Sequence, residues 1–214
     1  MDPRRFFNQL KQNAYGAVSE YYALFSGKLQ HTPYNQGSFC NKSTNLLIKE
    51  GMCGGAAILQ VTDTHTEERA AQLQIECLLS INPSTKASKL FIEEHGLQEQ
   101  VNPVQRSYYP SNDAKFLEEH SKNFSSKATF FCVLRGEKKE RAGHMLRFNS
   151  LGEEAKPSAV KEVPQCSLYD ANNGLYTGQC PVVIEQYNRL RRHYGLNEPG
   201  EMSVISYKPA GMRK

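Results

Sequence analysis

The chain has 214 residues, a length that fits one large domain or two small ones. Hydrophobic residues make up 39% and charged residues 22%, as in an ordinary globular protein, which excludes disordered, collagen-like and coiled-coil classes. Six cysteines are too few for a disulfide scaffold. The net charge is only +4, and the short basic clusters at 138–141 and 189–192 do not form the stripe typical of nucleic-acid binding. We therefore expect no nucleic-acid partner.

Nothing in the chain indicates a membrane or export segment. No apolar run approaches the ~20 residues that a membrane-spanning helix requires. The chain starts Met-Asp-Pro-Arg-Arg and continues without the apolar core and small-residue cleavage site of a secretory signal peptide. We expect a soluble protein that is made in a reducing cytoplasm, where structural disulfides are rare.

The first two thirds of the chain predict helices. Apolar residues spaced three and four apart predict an amphipathic helix over 4–26, which Gly27 would end. Residues 28–50 are polar and rich in turn residues, so we expect an ordered loop there at best. Helical spacing returns in four later segments: 53–62, 66–81, 86–95 and a stretch after Ser111 with Phe116, Leu117 and Phe124 on its apolar side.

The remainder of the chain predicts mainly strands. Residues 128–134 are β-branched and aromatic, as a buried strand should be. In the next strand, 142–148, alternation places Ala142, His144, Leu146 and Phe148 on the face that should pack on the helical half. The later elements are a strand around Cys166–Asp170, a helix over Pro181–Tyr194 stopped by Gly195, and a strand at Met202–Tyr207.

Helices followed by an antiparallel sheet predict an α+β fold. We expect a single domain over 1–214. It would comprise an N-terminal helix and loop (1–50), a helical half (51–125) and an antiparallel sheet half with one helix (126–214).

Cys53 is the first candidate for chemistry, because it opens a short apolar helix between small residues in Gly51-Met-Cys53-Gly-Gly-Ala-Ala. Unpaired N–H groups and partial positive charge at a helix N-terminus lower the pKa of a thiol. The same N–H groups can form an oxyanion hole, and Gly54 and Gly55 would let a substrate carbonyl approach closely. The alternative is a buried cysteine beside a flexible turn.

A thiolate nucleophile needs a base, and the base needs a third group to orient it. His144 is the candidate base, because it lies early in a strand on an apolar face, where an ionisable ring should have a partner. The other five histidines lie in a loop, in polar helical stretches or in the last turn of a helix. Asp170 ends the next predicted strand and can lie alongside His144 in an antiparallel pair. As alternatives, His144 is a core histidine bonded to backbone and Asp170 belongs to an ordinary turn.

The order of these candidates resembles that of papain-like cysteine proteases, in which the cysteine lies on the leading helix and the other residues on a later antiparallel sheet. The similarity is greatest to the YopT/AvrPphB-type effector proteases of bacteria. These have a Gly-x-Cys-x-Gly start to the catalytic helix, a strand histidine and an Asp-x-Asn-x-Gly-like turn. The matching residues here are Gly51, Cys53, Gly55, His144, Asp170, Asn172 and Gly174.

The resemblance implies a papain-like fold in which Cys53 is the nucleophile, His144 the general base and acid, and Asp170 the residue that holds the imidazole. It also implies an oxyanion-hole amide before the cysteine, for which Asn45, eight residues earlier, is the candidate. The partner would be a host or target protein that serves as substrate. The chain would be secreted from a bacterium and translocated into a host cell.

Other functions stay open at this point. The same triad can deamidate glutamine or transfer acyl groups. A non-catalytic protein that docks a partner through the helix at 4–26 is the rival from another class. We expect no cofactor and no metal site, because no nucleotide fingerprint or zinc-type cysteine spacing occurs. Of the other cysteines, we expect Cys77 and Cys132 in the core, and the roles of Cys40, Cys166 and Cys180 stay open.

Overall fold

An antiparallel sheet of seven strands runs through the centre of the computed structural model, which describes residues 26–97, 103–123, 127–135, 143–151, 165–196 and 200–207. The spatial order is β1-β6-β5-β4-β3-β7-β2, and every neighbouring pair is antiparallel. The strands are β1 (Leu29–Pro33), β2 (Val104–Tyr108), β3 (Ala128–Leu134), β4 (His144–Ser150), β5 (Gln165–Asp170), β6 (Gly174–Gln179) and β7 (Met202–Ser206).

Seven α-helices and one 3-10 turn at Thr64–Thr66 accompany the sheet in the described residues. The α+β class predicted from the sequence is therefore confirmed. Residues 4–25 of the predicted helix and Phe124 lie outside the described residues, and Ser26 lies in a turn. The helices are α1 (Gly37–Cys40), α2 (Leu46–Lys49), α3 (Cys53–Leu59), α4 (Glu67–Leu78), α5 (Pro83–Glu94), α6 (Asp113–Asn123) and α7 (Cys180–Tyr194).

Helices cover both faces of the sheet, and each face has its own core. Residues of α3, α4 and α5 pack on one face with Phe131, Met145 and Tyr169. Residues of α6 and α7 pack on the other face. No helix within these ranges is both long enough and apolar enough to span a membrane.

The two faces of β4 correct one expectation. Leu146 and Phe148, which share their face with His144, pack with α6 and α7. The opposite face carries Met145 and Arg147, and it meets α3, whose carbonyls at Ala57 and Ile58 accept hydrogen bonds from Arg147. The expected packing on the helical half therefore holds for α6 but not for α3, because alternation defines two faces of a strand but does not say which helices cover each face.

The segments predicted as loops contain additional strands. Residues 28–50 form β1, α1 and α2, and β1 joins the sheet at its edge beside β6. β2 and β6 were also not predicted. All three strands are short and only partly buried, so they lack the apolar alternation that reveals a buried strand.

The cysteines divide into four free thiols and one pair. Cys40, Cys77 and Cys132 are buried, which confirms the core assignment of Cys77 and Cys132. Cys166 and Cys180 form a disulfide that joins the start of β5 to the start of α7. The disulfide closes a covalent loop that contains Asp170.

Removing this disulfide is expected to destabilise the oxidised protein. A closed loop of about 15 residues stabilises a fold by roughly 3 kcal/mol in the chain-entropy model. The double variant Cys166→Ala and Cys180→Ala should therefore melt roughly 6–12 °C lower in a thermal scan. Cys132→Ala, which removes a buried free thiol of the same core, is the control. If a reductant lowers the Tm of the double variant as much as that of the parent chain, the disulfide is not the cause.

Candidate active site

Cys53 is the first residue of α3 and follows the cap residue Met52. Its side chain is partly buried, and its Sγ accepts a hydrogen bond of 3.4 Å from the backbone N–H of Met145 at the start of β4. The thiol therefore lies between the N-terminus of α3 and the first residues of strand β4. Both contacts favour a negatively charged sulfur.

The two glycines after Cys53 serve packing, which corrects the expectation that they admit a substrate carbonyl. Both are buried, and their N–H groups donate to Oε1 of Gln74 at 2.7 and 3.1 Å. A Cβ built on Gly55 would lie 1.8 Å from the carbonyl oxygen of Ala70. Helix α4 thus approaches α3 too closely for any side chain at this position. In the described residues, Gln74 thus binds the N–H groups of Gly54 and Gly55 but not the N–H of Cys53.

His144 connects the thiol to Asp170. Its Nε2 lies 2.8 Å from Oδ1 of Asp170, and since a carboxylate only accepts, Nε2 carries the proton. His144 and Cys53 line the same cleft, and because Nε2 is bound to Asp170, Nδ1 is the ring nitrogen that can serve the sulfur. His144 is 9% exposed and Asp170 is fully buried. The structure therefore brings together the three residues predicted from the sequence, and their catalytic roles stay a prediction.

The Asp170 carboxylate is held by a turn and by α7. Oδ1 accepts the N–H of Asn172 at 3.1 Å, and Oδ2 accepts the side-chain amide of Asn173 at 2.5 Å and the hydroxyl of Tyr194 at 2.7 Å. Gly174 closes the turn with φ of 101°, and a Cβ there would lie 2.1 Å from the carbonyl oxygen of Thr32 in β1. The glycine of the Asp-x-Asn-x-Gly-like turn is thus required by backbone conformation and by the close approach of β1.

These contacts shift the pKa values of all three groups toward an ion pair. Burial raises the pKa of the Cys53 thiol, but the hydrogen bond and charge of His144 outweigh it, so the pKa lies below the ordinary 9.0. Burial lowers the pKa of His144, but its bonds to Asp170 and Cys53 raise it above 6.5. Burial raises the pKa of Asp170, and the bonds from His144, Asn173 and Tyr194 bring it below 3.8. A thiolate beside an imidazolium is the state that this arrangement favours.

Tyr194 is a site residue that sequence reasoning missed. It is the last residue of α7, where Gly195 in the left-handed conformation ends the helix. Its ring lies over the His144 ring with centroids 4.4 Å apart, and its hydroxyl binds Asp170. The sequence showed that Tyr194 precedes a helix-ending glycine. It did not show that Tyr194 lies near His144 and Asp170, which are 50 and 24 positions earlier in the chain.

Gln36 is a second residue that was missed. Its Oε1 accepts the N–H of Met52 at 2.7 Å, and its Nε2 donates to Oδ1 of Asn172 at 2.8 Å. This one side chain therefore ties the start of α3 to the Asp170 turn. It lies in the segment predicted as a loop, and no sequence signal distinguished it there.

The structure does not bring Asn45 to this cluster. Asn45 is exposed and caps α2, where its Oδ1 accepts the N–H of Leu47 at 3.0 Å. Gln36, by contrast, lines the cleft beside Cys53.

The site opens to solvent through a cleft of about 450 Å³. The described residues that line it include Cys53, His144, Tyr194, Leu47 and Leu78. No group of three or more His, Cys, Asp or Glu side chains suited to a metal ion occurs in the described ranges. The cleft exposes the thiol and the imidazole together, so a molecule in it meets both.

Comparisons with known proteins give one structural similarity. No protein-family profile matches the chain, and no curated protein matches it. A solved structure, the crystal structure of the Pseudomonas avirulence protein AvrPphB, matches with a TM-score of 0.45 and 14% sequence identity. The match covers 79% of this chain and 97% of that chain.

Proposed function

We propose that this protein is a cysteine peptidase that hydrolyses peptide bonds of a protein substrate. The observation that carries the proposal is the position of His144, which is hydrogen-bonded to Asp170 at 2.8 Å and lines an open cleft together with Cys53. A nucleophile, a base within reach and a buried carboxylate that orients the base are the three parts of acyl-transfer catalysis.

In the first half of the reaction, the Cys53 thiolate attacks the carbonyl carbon and a C–S bond forms. The oxyanion that develops would lie near the Cys53 N–H at the start of α3. Gln36 lines the same cleft and retains a second amide hydrogen besides the one donated to Asn172, so we propose it, in place of Asn45, as the side-chain donor. His144 then gives its Nδ1 proton to the leaving nitrogen, and the C–N bond breaks.

In the second half, His144 is neutral and acts as the base. It takes a proton from a water molecule, whose oxygen attacks the thioester carbon. The C–S bond breaks, the new carboxylic acid product leaves, and the thiolate and imidazolium are restored. Asp170 keeps the proton on Nε2 throughout and stabilises the imidazolium.

The substrate would be a host or target protein. Secretion of the chain and its entry into a host cell stay predictions of the family resemblance. Deamidation and acyl transfer use the same first step. In deamidation ammonia is the leaving group, and in acyl transfer an amine takes the place of water.

The test is digestion of an unfolded protein mixture by the wild-type chain and by Cys53→Ala, with the products read by mass spectrometry. We expect new peptide termini with wild type and none with Cys53→Ala. Cys132→Ala is the matched control, because it removes a buried free cysteine on the other face of the sheet, and it should cleave like wild type.

Two outcomes would contradict this function. If the products contain deamidated glutamines but no new peptide termini, the protein is a deamidase that uses the same triad and not a peptidase. Equal cleavage by Cys53→Ala and wild type would remove Cys53 from the reaction altogether.

A further inference from the structure

Most of the exposed large hydrophobic side chains in the described residues belong to two segments that reach the candidate active site. Seven large hydrophobic residues are exposed among the described residues, and five of them lie in two short segments, 46–47 and 78–81. We call these five the aliphatic ledge: Leu46, Leu47, Leu78, Leu79 and Ile81.

The two segments of the ledge are neighbours, because α2 packs against α4 and because Leu47 and Leu78, one from each segment, line the same cleft. Leu46 is 76% exposed, Leu79 is 81% exposed and Ile81 is 95% exposed. Scattered single apolar residues are normal on a protein surface, whereas a contiguous apolar patch usually marks an interaction site.

The ledge continues directly into the cleft. Leu47 and Leu78 are about half exposed and line the cleft together with Cys53. A polypeptide that lies in the cleft with its scissile bond at Cys53 therefore has Leu47 and Leu78 beside it.

We propose that the aliphatic ledge binds apolar side chains of the substrate on one side of the bond that Cys53 attacks. This inference rests on the proposed function and names the substrate class: a polypeptide with aliphatic or aromatic residues at a fixed position near the cleavage site. The occupant is the substrate chain, because two ledge residues are also cleft residues. Burying an aliphatic side chain against leucines changes kcat/KM by roughly 10-fold or more for each good contact.

The test is cleavage-site profiling with a peptide library derived from a whole proteome. Wild type should cut at sites where Leu, Ile, Val, Met or Phe is enriched at one fixed position. The double variant Leu47→Ser and Leu78→Ser should lose that enrichment and cleave the preferred peptides at least about 10-fold more slowly. The rate at which iodoacetamide alkylates Cys53 should stay within about twofold of wild type, because the small reagent does not need the ledge.

The control is Tyr109→Ser, which makes the same apolar-to-polar change at a 70% exposed residue outside the ledge. It should keep the wild-type cleavage pattern. Cleavage without an apolar preference, or an unchanged pattern in the ledge variant, overturns the ledge proposal and leaves the peptidase intact. Absence of any cleavage by wild type overturns both. Faster cleavage by the ledge variant would mean that a segment of the chain itself covers the ledge, and it also overturns the proposal.

Discussion

Replacing His144 with alanine is expected to slow the alkylation of Cys53 at pH 7 by roughly 10- to 30-fold. In wild type, His144 holds the pKa of Cys53 below 9.0, so the thiolate is present in the neutral range. Without the imidazole, burial is the largest influence that remains, and it raises the pKa of the thiol. An ordinary thiol is only a few per cent thiolate at pH 7, which sets the size of the loss.

The pH dependence gives the sign of this effect. The thiolate and the imidazolium coexist between the lowered pKa of Cys53 and the raised pKa of His144. As pH falls through the first value, the sulfur is protonated and alkylation stops. As pH rises through the second, the imidazole loses its proton, so peptide cleavage falls while alkylation continues. Cleavage by wild type should therefore show a bell-shaped profile and alkylation a plateau.

The measurement is the rate of iodoacetamide labelling at Cys53, followed by peptide mapping between pH 5 and pH 10. His65→Ala is the matched control, because it removes an exposed histidine in the 3-10 turn. In His144→Ala we expect the rate to rise with pH across the whole range without a neutral plateau. A neutral plateau that survives in this variant would show that another group activates the thiol.

Replacing Gly55 with alanine is expected to destabilise the fold strongly, although the change is a single methyl group in a helix. The new Cβ would lie 1.8 Å from the carbonyl oxygen of Ala70 and 2.8 Å from the backbone nitrogen of Gln74. These are backbone atoms of α4, so only movement of one helix relative to the other relieves the overlap. Overpacking of this kind costs about 1–3 kcal/mol and occasionally more.

Gly54→Ala is the matched control in the same turn of α3. Its Cβ would meet Oε1 of Gln74 at 2.8 Å, which is the far end of a side chain that can move. We expect the Tm of Gly55→Ala to fall by roughly 3–12 °C and that of Gly54→Ala to fall less. An equal or smaller loss for Gly55→Ala would mean that the two helices adjust more easily than their backbone contact implies.

The candidate triad was predictable because its members carry local signals. Cys53 begins an apolar helix, His144 lies on a strand with alternating apolar residues, and Asp170 begins a turn rich in asparagine and glycine. Their order along the chain then suggested a common site. Helix α5 was likewise predicted from its helical spacing, and β3 from its β-branched and aromatic residues.

The residues that complete the site were not predictable in the same way. Gln36, Gln74 and Tyr194 act through contacts across 16 to 136 positions, and none of them differs locally from an ordinary polar or aromatic residue. The edge strands β1 and β2 were not predicted for a related reason, because they are held by hydrogen bonds to strands that are distant in sequence.

The sequence by itself determined the class of the fold, the main buried elements and the three residues with chemistry suited to acyl transfer, because periodicity and residue type are local properties. Only the tertiary structure decided which face of β4 meets the helix of Cys53, that Gly55 is needed for helix packing, and that Cys166 and Cys180 meet in a disulfide. The six cysteines, which are too few for a disulfide scaffold, comprise one bonded pair, three buried thiols and one thiol in a cleft. That division depends on burial and distance, which arise when distant segments pack.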